Sequence, residues 1–297
     1  MLVFILATQL SAGVSLQPSP LPGPALVTTS ITAAQPADDV RLAEASWGLS
    51  PDTPLPALMV AVAERFIGRP YVENSLNVGV PRAGVPEPLV SRLDGFDCVT
   101  LVEASLAIAR SISLGDPSPA AYRHELEGLR YRNGVRSDFA SRLHYFSEWI
   151  SDNARRGHLV ELTPTLGGVP DSRPLTFMSA HASAYPPLAD AGLAAGIRAV
   201  EAALSQRSRS VIPMERAAEI LPELQPGDIL AFTTRIPGLD VVHTGMVARG
   251  PGGALHLLHA PEPGEPVTIS SKPLAQYFGA SKRHAGIMVA RPLPPAR

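Results

Sequence analysis

Apolar and polar positions along this chain follow two periods in turn. In "PALMVAVAERFIG", residues 56 to 68, the apolar residues recur at helical spacing, with Gly68 placed as a C-terminal stop and Pro70 just beyond it. The helical period returns from Cys98 to Ile112, where Val99, Val102, Leu106 and Ala109 form a stripe and Asp97 stands where an N-cap belongs. Between them, residues 72 to 95 are punctuated by Gly79, Pro81, Gly84, Pro86 and Pro88 and read as loop. Beyond residue 225 the period shortens. "GDILAF" (227–232), "DVVHTGMVA" (240–248), "LHLLHA" (255–260), "PVTIS" (266–270) and "GIMVA" (286–290) are short β-type runs cut by Gly and Pro, which predict an antiparallel meander. Helices followed by such a sheet make an α+β domain.

The ends and the middle complete the division. Residues 1 to 16, "MLVFILATQLSAGVSL", carry no charged side chain and resemble the apolar core of a secretory signal, although the basic stretch that usually precedes such a core is missing. Residues 17 to 37 are uncharged and rich in Pro, Ser, Thr and Ala, the composition of an extended linker. The expected organisation is therefore a signal peptide and Pro-rich linker over 1–37, then one domain over 38–297. A mostly helical insertion at about 115–225 holds "SRLHYFSEWI" and two later helical stretches near 188–205 and 214–221. A secreted or periplasmic location follows. The first apolar run stops near Gln17, short of a bilayer's thickness, so no stable membrane anchor is expected.

Composition narrows the chemistry. With 25 Lys and Arg against 27 Asp and Glu, the net charge of -2 offers no global attraction for nucleic acid. No Walker or dinucleotide-type glycine pattern is present either. At 45% hydrophobic residues in 297, a sizeable core can form. The chain uses cysteine once, at Cys98, so no internal disulfide exists. A thiol in the first turn of a helix feels the positive end of the helix dipole. Together with a nearby imidazolium, that field lowers the usual thiol pKa of about 8.5, and the free amides there can hold an oxyanion. The competing reading is a small buried apolar residue.

The histidines discriminate between the two. His243 lies in an apolar strand, where an imidazole needs a partner. If the turn between its strand and the next centres near Pro251, His243 falls opposite His259 on one face, and His256 points to the other; a shift of three residues would favour His256 instead. A thiol, a base and a group that orients the base are what cysteine hydrolases use. Cys, His and His can also ligate Zn²⁺. However, the i and i+3 positions of His256 and His259 face opposite sides of a strand, and there is no His-Glu-x-x-His helix, so no metal or other cofactor is expected.

Five short motifs then occur in order: Gly68, Pro70 and Tyr71; Asp97 and Cys98; Pro226, Gly227 and Asp228; His243 and Gly245; His259 and Ala260. In this the chain resembles the NlpC-type cell-wall cysteine peptidases, a papain-like superfamily. "FDCVTLVEASLAIAR" and "SRLHYFSEWI" make it similar to the N-acetylmuramoyl-L-alanine amidase-like branch. The resemblance implies a papain-like cysteine hydrolase fold, with Cys98 as nucleophile, His243 as general base and His259 orienting it. It also implies that Tyr71 lines the cleft near the thiol, that Tyr71 and Asp97 are substrate-binding residues, and that the Cys98 amide contributes to the oxyanion hole. The implied partner is peptidoglycan or a muropeptide, cut at the N-acetylmuramoyl-L-alanine amide or at a stem-peptide bond next to D-glutamate. A non-catalytic wall-binding module is the alternative. One departure stands out: many members follow Pro-Tyr with Trp-Gly-Gly, where this chain has "VENSLN". Arg142, His144 and Tyr145 are the candidate substrate contacts of the insertion, since Arg can fork onto a carboxylate and stem peptides carry several. A Leu and aromatic stripe there would equally suit core packing. His124 and His181 read as ordinary surface or packing residues.

Overall fold

A computed structural model describes residues 31–77, 79–280 and 284–296. The signal-like segment lies outside the described residues. Helices are α1 (Ile31–Ser46), α2 (Leu55–Glu64), α3 (Cys98–Ser113), α4 (Pro119–Arg130), α5 (Phe146–Arg155), α6 (Phe177–Ala180), α7 (Ala191–Ser205) and α8 (Leu274–Ala280). Strands are β1 (Leu159–Glu161), β2 (Val169–Asp171), β3 (Arg209–Pro213), β4 (Ile229–Thr234), β5 (Val241–Arg249), β6 (Leu255–His259), β7 (Thr268–Ile269) and β8 (His284–Pro292). Helix α1 starts inside the stretch read as linker, where Ala33, Ala34 and Ala37 favour helix. Its packing begins at Asp38, which is buried and accepts the Leu93 amide at 3.0 Å.

The strands form one antiparallel sheet in the order β2-β3-β8-β4-β5-β6-β7, with β1 also on β8. From β4 to β7 it is the expected meander. The last strand departs from that order, crossing back to pair with the far side of β4. All six residues of β4 are buried, and alternate side chains serve different cores. Ile229 and Ala231 join the cluster around α2 and α3, whereas Leu230 and Phe232 join one with Leu274, Phe278 and the 3-10 segment Met214–Glu223.

Helix α3 sits in the larger core. A stripe was expected, yet every residue from Thr100 to Ile112 is buried, because α2, α4 and the sheet surround it. Its polar members carry their own partners: Glu103 pairs with Arg130 at 2.8 Å, Arg110 with Glu125, and the Ser111 hydroxyl donates to the Ile108 carbonyl at 2.8 Å. At its start Asp97 accepts the Val99 amide at 2.9 Å and the Thr100 amide at 2.8 Å. The Thr100 hydroxyl in return accepts the Asp97 amide at 2.9 Å.

The region from 115 to 225 is less of an appendage than its sequence suggests. It supplies three strands to the sheet, and Trp149, Ile150 and Leu159 lie in the main core. Those strands are three to five residues long, and "VPD" and "RSVIP" offer no alternation to detect. A separate cluster of Phe139, Tyr145, Leu175, Phe177, Leu193 and Ile197 forms the outlying part.

Replacing the cap with Asp97→Ala leaves two amides of a fully buried helix without an acceptor. The expected cost is about 1–2 kcal/mol, read as a lower urea midpoint, and Asp97→Asn, which keeps a capping oxygen, should lose less.

Candidate active site

Because Asp97 ends the loop and caps α3, Cys98 is the first helical residue. It is 6% exposed and lines a cleft of about 120 Å³ with Tyr71, His243 and Thr244. The backbone of Thr244 and the cysteine's own amide lie close enough to the sulfur to favour its thiolate, though burial opposes this more strongly. The loop that replaces Trp-Gly-Gly supplies Asn74, Leu76 and Asn77 as one wall.

His243 reaches this cleft through an irregularity in β5. Phe232 pairs with His243, but Thr233 pairs with Val241, so Val242 is an extra residue. Such a bulge turns neighbouring side chains relative to a regular strand. On the other side, Met246 pairs with Leu258 and Arg249 with Leu255, which centres the turn on Gly252 rather than Pro251. His243 and His259 are therefore two positions out of the expected direct opposition. Side chains alternate with a period of two, so both remain on one face. Their rings meet: His243 Nε2 and His259 Nδ1 are 2.8 Å apart, with the planes at 75°. Gly245 makes room for this. A Cβ there would stand 3.0 Å from the His259 Cβ and 2.8 Å from the Leu258 carbonyl oxygen. His256 is on the opposite face, donating from Nδ1 to the Ser270 carbonyl at 2.6 Å.

Burial dominates the electrostatics. It pushes the Cys98 thiol up to about 12, with the Asp97 carboxylate adding to the shift. This reverses the lowering expected of a helix N-terminus, because removing water disfavours the thiolate more than the dipole favours it. Burial also holds His243 well below the ordinary imidazole range, helped by His259 and His284, and takes His259 to about 4. At neutral pH the resting site is thus an uncharged thiol beside two uncharged rings. Behind them Phe232 and Tyr277 close the pair off, with ring centroids 5.9 Å from His243 and 6.0 Å from His259 respectively.

The other predicted residues divide. Arg142 and His144 line the cleft, as Tyr71 does. Tyr145 points into the outlying core, where its hydroxyl donates to Glu201 at 2.6 Å and accepts the Met178 amide at 3.2 Å. Asp97 is fully buried by its capping bonds and is not among the residues lining the cleft. Glu103 and Asp240, which no motif singled out, also line it. A Glu five residues after the cysteine in a buried helix was the available signal for the first. Among the described residues, no group of three or more His, Cys, Asp and Glu side chains is arranged to hold a metal ion. The two rings direct Nε2 and Nδ1 at each other rather than at a common third point.

Comparison with known proteins gives a consistent picture. A family model described as "AmiA-like: N-acetylmuramoyl-L-alanine amidase-like" matches residues 61–287. A crystal structure of an N-acetylmuramoyl-L-alanine amidase from Bacteroides uniformis is 32% identical, covering 80% of this chain and 99% of that one, with a TM-score of 0.73. A Bacteroides fragilis structure carrying a xylanase designation is 32% identical over 77% of this chain and 98% of that one, with a TM-score of 0.70. A Legionella pneumophila protein of the DUF1460 family shares the fold at 19% identity and a TM-score of 0.66, over 89% and 97% of the two chains. No curated protein sequence matches the chain.

Two outcomes follow from the geometry. With the thiol raised to about 12 and His243 neutral, alkylation of Cys98 by iodoacetamide should be slow at pH 7. Its rate should climb about tenfold per pH unit beyond pH 9; a plateau already reached by pH 6 would show a preformed thiolate–imidazolium pair. Gly245→Ala should cost about 1–3 kcal/mol in thermal unfolding and displace His259, since the contacted atoms belong to the neighbouring strand's backbone and Cβ.

Proposed function

Because the chain belongs to the AmiA-like, N-acetylmuramoyl-L-alanine amidase-like family of peptidoglycan hydrolases, we propose that it cleaves the N-acetylmuramoyl-L-alanine amide through Cys98, in an NlpC-type, papain-like arrangement. One observation carries the reading. A thiol at a helix N-terminus and an imidazole already held at Nε2 by a second imidazole line the same cleft.

The residues divide the work as follows. With Nε2 engaged by His259, proton exchange with the thiol falls to His243 Nδ1. Moving the proton from a thiol near 12 to a depressed imidazole is uphill in the empty cleft. The transfer therefore accompanies attack, when the forming C–S bond passes negative charge to the carbonyl oxygen. In this reading the Cys98 amide, directed at the sulfur at rest, donates to that oxygen once the sulfur has committed its charge to the C–S bond. His243, now protonated, gives its proton to the departing alanine nitrogen, leaving a thioester on sulfur. Water then adds to the thioester while His243 takes its proton, and the lactyl carboxylate leaves as the thiol is restored. His259 holds the ring orientation throughout and shares the transient positive charge.

The xylanase designation of one neighbour raises a glycosidase reading, which would need two carboxyl groups directed at a glycosidic bond. Glu103 and Asp240 line the cleft, but Glu103 is bound to Arg130, and Asp240 accepts the Ser147 amide at 2.8 Å and the Val241 amide at 2.7 Å. Committed in this way, neither suits proton transfer to a sugar.

The test is product analysis on defined muropeptides. Mass spectrometry should find a free lactyl carboxylate on the sugar and a peptide beginning with L-alanine; an intact muramoyl-dipeptide would move the cut to the bond after D-glutamate. Cys98→Ala should abolish turnover and His243→Ala should lower it at least about 100-fold. Full activity in the alanine variant at 98 would remove the nucleophile, and binding to sacculi without any product would make the domain a wall-binding module.

A further inference from the structure

Besides Cys98, His243 and the tyrosines, four charged or imidazole side chains line the cleft: Glu103, Asp240, His144 and Arg142. The first two are committed to the partners already named. His144 Nε2 meets the Phe139 carbonyl at 2.7 Å, and since a carbonyl only accepts, that nitrogen carries the proton. Arg142 differs from these three. Its side chain is 9% exposed, and Glu87, its ion-pair partner, stands at 3.5 Å, too long for a hydrogen bond of any strength. Among the described residues its guanidinium donates no hydrogen bond.

The guanidinium is nevertheless held in place, 4.9 Å over the Phe139 ring. Glu87 is a weak counter-charge, because burial raises its pKa and its Oε2 is buried without a partner. Its donors are thus not spent on protein acceptors and are left to whatever occupies the cleft that Arg142 lines. The complementary ligand is a carboxylate, which can accept two parallel N–H bonds.

Resting on the amide-hydrolase reading above, we propose that Arg142 is the specificity residue that reads the free α-carboxylate of D-glutamate in the stem peptide, so that stems carrying a carboxamide there are poor substrates. Either cut leaves this carboxylate close to the reacting bond. In the muramoyl-L-alanine substrate, alanine's carboxyl is tied up in the next amide. Glutamate continues the chain through its γ-carboxyl, which makes its α-carboxylate the nearest free acid on the leaving side. Were the bond after glutamate cut instead, the same carboxylate would lie next to it on the acyl side. Cys98 and Arg142 line one cleft, and this carboxylate is the free acid nearest the bond that is cut. A carboxamide turns an N–H₂ toward donors that need an acceptor, and leaves part of the fork unpaired.

The experiment compares kcat/KM for N-acetylmuramoyl-L-alanyl-D-glutamate and its D-isoglutamine counterpart. Wild type should prefer the acid by about tenfold or more, chiefly through KM. Arg142→Gln should reduce turnover of the acid and shrink the preference below about threefold, with Arg142→Lys, which keeps charge without the planar fork, falling between. Equal rates on both substrates in wild type, or a preference that survives Arg142→Gln, overturns the assignment. Should Arg142→Gln fail to fold, the wild-type ratio and the Arg142→Lys ratio decide. Absence of hydrolysis of either substrate overturns the amidase reading alone, and the same acid-over-carboxamide ratio is then read at the bond after glutamate in stems extended by a diamino acid; equal rates there, or no cleavage there either, overturn the inference.

Discussion

A helix buried on every side has to bring partners for its polar groups, and α3 does so. Glu103 is matched by Arg130, Arg110 by Glu125, and the first amides by the Asp97 carboxylate. That satisfaction lets α3 lie flush against the sheet, and its N-terminus then comes to rest beside the backbone of Thr244. The geometry of the candidate site follows from this seating. Were α3 an amphipathic surface helix, its first turn would be hydrated and the thiol would have no fixed relation to β5.

The same burial sets the chemistry. Sulfur and both imidazoles are buried, so each is pushed toward its neutral form, and the field of the helix end is outweighed at rest. A low-dielectric site of this kind strengthens charge–dipole interactions once charge appears on a carbonyl oxygen. The aromatic backing of Phe232 and Tyr277 extends this burial to the His243–His259 bond itself.

The cleft has a second face with a different origin. Its base near Cys98 belongs to the main core, but Phe139, Arg142 and His144 come from the long central region, beside the outlying cluster of α6 and α7. The two faces of the cleft are thus supplied by separate parts of the chain.

How much of this was legible in the chain varies with the range of the interaction. Local signals were sound: Asp97 before an apolar run defined the cap and put Cys98 in the first turn, and Gly and Pro marked out the meander. The pairing of His243 with His259 was legible even with the turn misplaced. An error of two residues leaves a strand's faces unchanged, whereas an odd one would have brought in His256. Beyond that range, sequence patterns were silent. Nothing local says that β8 crosses back to β4, that Val242 bulges, or that α3 is enclosed, since each depends on what packs against the segment. In "SRLHYF", Arg142 and His144 face the cleft and Tyr145 the core, although all three looked alike in the sequence. The order of residues thus determined which groups could do chemistry and on which elements they ride. Only the packed structure decided which were dehydrated and which met, because burial and contact between distant segments are properties of the whole core.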